Sequence, residues 1–240
     1  MTVALSALLS EIPEKTRNST TGALDNTKRT RAINRVLEDL QDFGDWNFTI
    51  RSKTKTLTEG TFSYSLLTDF VCTCYDNDGT ATLTDFKNPK SLRPTTADYY
   101  AKPFMLRDIE TVRQNIRENK ALNEYAIQGD EILINHGLPT GTSVTLEYYS
   151  LAMVQKTNND YQLEFNPDAV TQTDKLLGGV IARRCVVQGA SYELFEIIGG
   201  KSERDRTDSF KIYQTKKVEL LKKCGHRLRR QGKVLNFQSR

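Results

Sequence analysis

Ile33-Asn34-Arg35-Val36-Leu37-Glu38-Asp39-Leu40-Gln41-Asp42-Phe43-Gly44-Asp45-Trp46-Asn47-Phe48-Thr49-Ile50-Arg51 is the stretch in which the chain changes its period. Up to Phe43 the apolar residues Ile33, Val36, Leu37, Leu40 and Phe43 recur at i, i+3, i+4, i+7 and i+10, the stripe of an amphipathic helix. Asn26 or Thr27 is placed to cap this helix, and Gly44 to close it as a left-handed C-terminal residue. From Trp46 onward the period is two, and Phe48 to Leu57 is rich in Thr and β-branched residues, which favour strands. A helical segment thus gives way to a β segment within a few residues.

Working back from this point, Asn18 to Gly22 reads as a polar linker to a shorter helix around Val3 to Leu9. The apolar start lacks a basic region and is followed by charge, so it reads as a helix and not as a signal peptide. Working forward, Thr61 to Leu67 alternates with Phe62, Tyr64 and Leu66 on one face, and Glu59-Gly60 before it signals a hairpin. Phe70 to Tyr75 reads as another strand, turning at Asp76-Asn77-Asp78-Gly79 to pair with Thr80 to Leu83. Phe86 to Pro103 reads as loop. Met105, Ile109, Val112 and Ile116 are spaced for a helix near Arg107 to Asn119. Tyr125 to Gln128 and Ile132 to Asn135 flank Gly129-Asp130, and Ser143 to Tyr149 follows Pro139-Thr140-Gly141. Helix returns from Pro167-Asp168, with Leu177, Val180, Ile181, Leu194, Phe195 and Ile198 as its stripe and Gly199-Gly200 as its end. A last helix carries Phe210, Tyr213, Leu220 and Cys224 and stops at Gly225.

The fold class is therefore α+β. Residues 1–45 and 151–225 are expected to form a helical bundle around Ile33, Leu37, Leu40, Trp46, Val180 and Leu194. Residues 46–150 form an inserted antiparallel β-domain, and 226–240 a basic, extended C-terminal tail. Hydrophobic residues make up 38% of the 240, an ordinary soluble composition. No apolar run approaches the roughly 20 residues that span a bilayer. The net charge of +4 conceals an asymmetry. Lys216 to Arg240 holds nine Lys/Arg and one Glu, a balance of +8, so the remaining 25 basic and 29 acidic residues leave the body at −4.

Chemistry has few candidates in this sequence. The histidines are His136 and His226, one after a strand and one past a helix, and both read as solvated. Cys72 and Cys74 fall two apart, the same face of a strand, but two thiolates do not complete a four-ligand zinc site. With Cys185 and Cys224 they read as free thiols of a reducing compartment. Gly199-Gly200-Lys201-Ser202 imitates the end of a phosphate loop, yet Phe195 stands where its first glycine belongs. Asp76 to Gly79 fits a calcium loop poorly, because Cys74 would take the first ligand position. Glu38-Asp39 and Glu203/Asp205 read as solvated helix faces. No enzyme and no cofactor is expected, which sets a tail-associated hydrolase aside.

The order of these signals is similar to that of head-to-tail adaptor proteins of tailed bacteriophages, of the tail tubular or gatekeeper type. The resemblance rests on Arg31-Ala32-Ile33-Asn34-Arg35-Val36-Leu37 leading to Asp45-Trp46, then on Gly60-Thr61-Phe62-Ser63-Tyr64-Ser65-Leu66-Leu67-Thr68-Asp69-Phe70. It continues in Tyr125 to Ile134, in Leu146-Glu147-Tyr148-Tyr149 and in Asp174 to Val180, colinear over most of the chain. Leu67-Thr68 departs from a family pattern that often carries proline, and Thr80 to Asn119 is longer and more helical than in the family. The resemblance implies a homo-oligomeric ring of twelve copies at the head–tail junction of the virion, assembled in the host cytoplasm. It would be held between the portal protein and a downstream tail or nozzle protein. Genomic DNA would pass through its lumen without sequence-specific contacts, and no membrane is involved. The basic tail then becomes the portal-docking arm, with Arg227, Leu228, Arg229, Arg230, Lys233, Leu235 and Phe237 as its contact residues. Two other functions fit the sequence: a nucleic-acid-binding protein that uses this tail on phosphates, and another tail-ring protein such as a tail terminator.

Overall fold

The structure is a computed structural model that describes residues 2–16, 23–75, 81–82, 85–95, 102–139, 141–156, 160–168, 173–198 and 203–226. The fold is mixed α+β with mostly antiparallel strand pairs. The chain divides into two units: Met1–Thr49, Cys74–Ala81 and Leu151–Arg240 in the first, Ile50–Thr73 and Thr82–Ser150 in the second.

The first unit holds helices α1 (Leu5–Thr16) and α2 (Ala23–Phe43). The second holds α3 (Ile109–Arg117), and the first is completed by α4 (Gly179–Ile198) and α5 (Glu203–Cys224). Helix α4 packs against α1, α2 and α5. Ile33, Leu37, Leu40, Trp46 and Leu194 all lie in the resulting core. Val180 does not. It is 51% exposed, because the inward face of α4 runs through Ala182, Cys185, Val186, Ala190 and Leu194, and Val180 stands off that face. Helix α4 also begins at Gly179 and not at Pro167. The residues before it form two-residue strands, with Leu176 paired antiparallel to both Val3 and Val154. Tyr161–Gln162 lies parallel to Cys74–Tyr75 in the same sheet.

Side chains of α2 fix this irregular segment. The Asn34 amide donates to the Phe165 carbonyl at 2.8 Å and accepts from the Phe165 amide at 3.0 Å, so a buried side chain imitates a strand partner. Gln41 donates to the carbonyls of Leu151 at 2.9 Å and Leu163 at 3.2 Å. Thr27 is no cap either, since α2 starts at Ala23 and the Thr27 hydroxyl donates to the Pro167 carbonyl. Gly44 does not adopt the left-handed conformation expected of it. It is glycine for lack of space, as a Cβ there would sit 2.9 Å from Leu221 Cδ1.

In the second unit Ser143–Ser150 is the centre of a three-stranded antiparallel sheet, between Ile50–Thr56 and Phe86–Pro94. Phe86–Pro94 is a nine-residue strand where a loop was expected. Its prolines, Pro89 and Pro94, suggest a loop in sequence, but a strand at the sheet edge can spare their missing amides, and its register shifts between Glu147 and Tyr148. A four-stranded sheet runs Ser63–Ser65, Glu131–Asn135, Glu124–Gln128, Met105–Leu106. The 124–135 hairpin turns on Gly129, at φ 59°. Glu59-Gly60 makes no hairpin, because Ile50–Thr56 pairs with Ser143–Ser150 and Ser63–Ser65 with Glu131–Asn135. The strand expected at Thr61 to Leu67 is cut to three residues by a π-helical turn at Leu66–Phe70, which the Asp130 carboxylate caps by accepting from the Leu67 amide at 2.8 Å. That turn likewise shortens the next expected strand to Cys74–Tyr75. Phe70, Leu92, Ile132, Leu146 and Tyr148 fill the core of this unit. Helix α3 lies on the other side of the hairpin and buries Val112 against Ala126 and Leu133, with Asp108 capping its first turn.

Asn34→Ala strands both Phe165 backbone groups in a buried site. We expect a loss of about 3 kcal/mol in urea unfolding at unchanged slope; a loss below about 1 kcal/mol would show that water satisfies Phe165 equally well.

Candidate docking face

His136 is not the solvated loop residue its position suggests: both ring nitrogens are buried and the ring lies 6.2 Å from that of Phe62. Burial lowers its pKa, which favours neutral imidazole. The Cys185 thiol is buried, and its pKa is pushed up to about 12 by that burial, the opposite of what a reactive thiolate needs. Cys72 and Cys74 do not share a strand, since only Cys74 belongs to one, and they fall in different units. Among the described residues no group of three His, Cys, Asp or Glu side chains could hold a metal ion. The expected calcium-like turn at Asp76 to Gly79 and the loop at Gly199 to Ser202 lie outside the described residues.

Three polar clusters instead hold elements together. Asp39 stays on the exposed face expected of it, and it accepts from Lys217 Nζ at 2.9 and 2.8 Å and from the Tyr213 hydroxyl, tying α2 to α5. Lys217 is only 5% exposed and its ammonium lies 4.2 Å from the centre of the Phe43 ring, so carboxylate and ring together replace its lost hydration. Glu124 is buried on the hairpin and accepts from the amides of Asn115 at 2.7 Å and Asn135 at 3.1 Å. Asp85, just before the edge strand, accepts from the Ser150 hydroxyl at 2.7 Å, while its second oxygen has no hydrogen-bond partner among the described residues. Burial raises the Asp85 pKa to about 6, against the Ser150 hydrogen bond and the Arg51 charge, which lower it.

Several large apolar side chains also stand open to solvent, Val180 among them. Trp46 stacks on Phe48 with ring centres 5.9 Å apart, and its indole Nε1 donates to the Leu40 carbonyl at 2.8 Å. Against this aromatic pair the end of α5 is drawn in. Gly225 pairs with Trp46 and His226 with Asp45 in an antiparallel bridge. A Cβ at Gly225 would lie 2.5 Å from Leu221 Cδ1 and 3.1 Å from Trp46 Cζ3, so only glycine fits. Beside this junction Phe48, Gly178, Gly179, Val180, Ile181 and Cys224 line an open groove of about 470 Å³, with Asn47 and Lys223 at its edge. Gly178, at φ 85°, lets the chain turn over Phe48; a Cβ there would come within 2.9 Å of the ring. The groove therefore flanks the point from which the basic tail departs. The tail's expected contact residues, Arg227, Leu228, Arg229, Arg230, Lys233, Leu235 and Phe237, lie outside the described residues.

The second unit has an open face of its own. Met105 is 50% and Leu106 54% exposed on the edge strand of the four-stranded sheet, and Leu122 is exposed as well. Neither face was visible in the sequence, where Val180 fitted a helical stripe and Met105 the stripe of α3. No family model matches the sequence, and no curated protein matches it. No helix among the described residues is long and apolar enough to cross a membrane.

The raised Asp85 pKa fixes a sign. The folded carboxyl stays protonated up to about pH 6, whereas the unfolded one ionises near 4. This group's stabilising contribution is thus full below about pH 4 and is lost as pH rises through 6. In Asp85→Asn that loss disappears. Between pH 4 and 7 the variant should gain on the natural protein by on the order of 2 kcal/mol in denaturant unfolding; parallel pH profiles would contradict the assignment.

Proposed function

We propose that this chain is a non-enzymatic structural protein of a bacteriophage virion, a ring-forming adaptor that connects the portal to the tail at the neck. The observation that carries the reading is that each unit exposes a separate apolar face, the Phe48–Val180–Ile181 groove on one and the Met105–Leu106–Leu122 edge on the other. Side chains of this size left in water cost free energy that a partner surface recovers. A closed ring of identical subunits uses heterologous contacts, in which each copy presents two unlike faces, and two unlike faces are what this chain offers.

In this reading the N- and C-terminal segments make a helical bundle that serves as a stave, with the β-domain inserted between them and directed to the tail or nozzle protein. Twelve copies surround the channel through which the genomic DNA passes. Residues behind the family resemblance support it: the Asn34 side chain holds the distant Phe165 backbone, and Trp46 pairs through its backbone with Gly225. The basic tail, rooted beside Trp46, is the portal-docking arm; its +8 balance, counted from Lys216, suits an acidic or phosphate-bearing surface, and Leu228, Leu235 and Phe237 supply apolar anchors.

Deletion of residues 225–240 is the first test. Attachment to the portal in a pull-down should be lost while the helical circular dichroism is kept, and undiminished attachment would refute the docking role. Val180→Asp is the second. At an exposed position it should alter folding stability by less than about 0.5 kcal/mol yet abolish self-assembly on the portal. Assembly at the natural level would remove the groove from the ring contact.

A further inference from the structure

Helix α5 carries a face that neither the core nor the groove uses. Tyr213, Lys217 and Leu220 are buried. At about 100° per residue these three positions cluster on one side, and Thr215 marks the middle of the opposite side. Within about 60° of Thr215 lie Arg204, Asp208, Lys211, Ile212, Val218, Glu219 and Lys222. All seven are exposed, and so is Thr215. Ile212 is 48% exposed and Val218 40%.

The order of residues along this face reverses in sign about its centre. Asp208 and Lys222 are equidistant from Thr215 and oppositely charged. So are Lys211 and Glu219. Ile212 and Val218, the innermost pair, are both β-branched and apolar. The existing ion pairs of this face, Lys211 with Asp208 at 4.0 Å and Lys216 with Glu219 at 2.9 Å, are exposed i,i+3 contacts, which are weak in water and leave the charges free to engage elsewhere. A helix laid parallel on a copy of itself would set Asp208 against its own copy and Lys222 against its own, and like charges at each level repel. Laid antiparallel, Asp208 meets Lys222 and Lys211 meets Glu219, and the apolar pair flanks Thr215 on either side.

We propose that the outer face of α5 is a self-association surface on which a second copy of this chain docks antiparallel, about a two-fold axis at Thr215. Asp208 then faces Lys222 of the partner subunit and Lys211 faces Glu219 of the partner subunit, each pair occurring twice by symmetry. Ile212 and Val218, one on each flank of Thr215, supply the apolar part of the contact, and the charges set direction and register. The interface spans about 21 Å of helix from Asp208 to Lys222. A contact of this size is a weak, reversible one. Because it is isologous it cannot itself close a ring; it belongs to the free protein and stands or falls apart from the neck reading.

Sedimentation equilibrium of the full chain decides it. The natural protein should show a concentration-dependent monomer–dimer equilibrium that shifts toward monomer between 0.1 and 1 M salt, as the screening length falls from about 10 Å to about 3 Å. Asp208→Lys and Lys222→Asp, each placing two like-charged pairs across the axis, should each weaken dimerisation by about tenfold or more. The double variant carries Lys and Asp in exchanged positions and should return to within about threefold of the natural protein. A protein monomeric at every concentration, a dimer indifferent to the single reversals, or a double variant no better than either single one would each overturn the proposal.

Discussion

The scaffold depends on Trp46. Its indole is stacked against Phe43 and Phe48, donates to the Leu40 carbonyl and faces Gly225 across a two-residue bridge. One side chain thereby ends α2, starts the path toward the β unit and anchors the last turn of α5. The glycines at Gly44 and Gly225 follow from it, because a Cβ at either meets Leu221 at less than 3 Å. Alanine at either position would require the Leu221 side chain to shift. Asn34 does for residues 151–168 what Trp46 does for the chain's end, supplying hydrogen bonds that an irregular segment cannot make for itself. The Asn34 amide and the Trp46 ring and backbone thus each engage a segment more than a hundred residues away.

The interior clusters have the same character. Lys217 between Asp39 and Phe43, Glu124 between Asn115 and Asn135, and Asp85 under Ser150 are polar groups removed from water and engaged by neighbours. None lies beside an activated nucleophile. The raised pKa values of Cys185 and Asp85 come from burial, and burial alone makes a thiol inert. Among the described residues, large apolar side chains stand exposed at Val180 and at Met105, Leu106 and Leu122. Recognition of other surfaces is the chemistry this arrangement supports.

Much of this was legible in the amino-acid order, and the parts that were not share a cause. The five α-helices of the described residues announce themselves because a 3.6-residue period is local, and Ile33, Leu37, Leu40, Trp46 and Leu194 could be placed in the core from the sequence pattern. Val180 could not, because adjacent apolar positions fit two helical phases, and only the partners α1, α2 and α5 select one. The Phe86–Pro94 strand was hidden by its prolines, which are tolerable only at an edge, and edges are defined by long-range pairing. Strand partners were misjudged at Glu59-Gly60 for the same reason: a turn signal says that the chain bends, not which strand it will join. Phe62 and Tyr64 alternate as a strand should, yet Asp130, far along the chain, caps a π-turn that cuts the strand short. The groove and the exposed edge had no sequence signal, since each is defined by what fails to cover an ordinary apolar residue.

The most direct measurement for the account as a whole is electron microscopy of the purified chain bound to the portal protein, with two-dimensional class averages of the end-on view. The account predicts a closed annulus with a central hole, made of repeated copies in lateral contact. Single, unconnected copies scattered on the portal, or no density added to it, would contradict the claim that this fold exists to lock copies side by side.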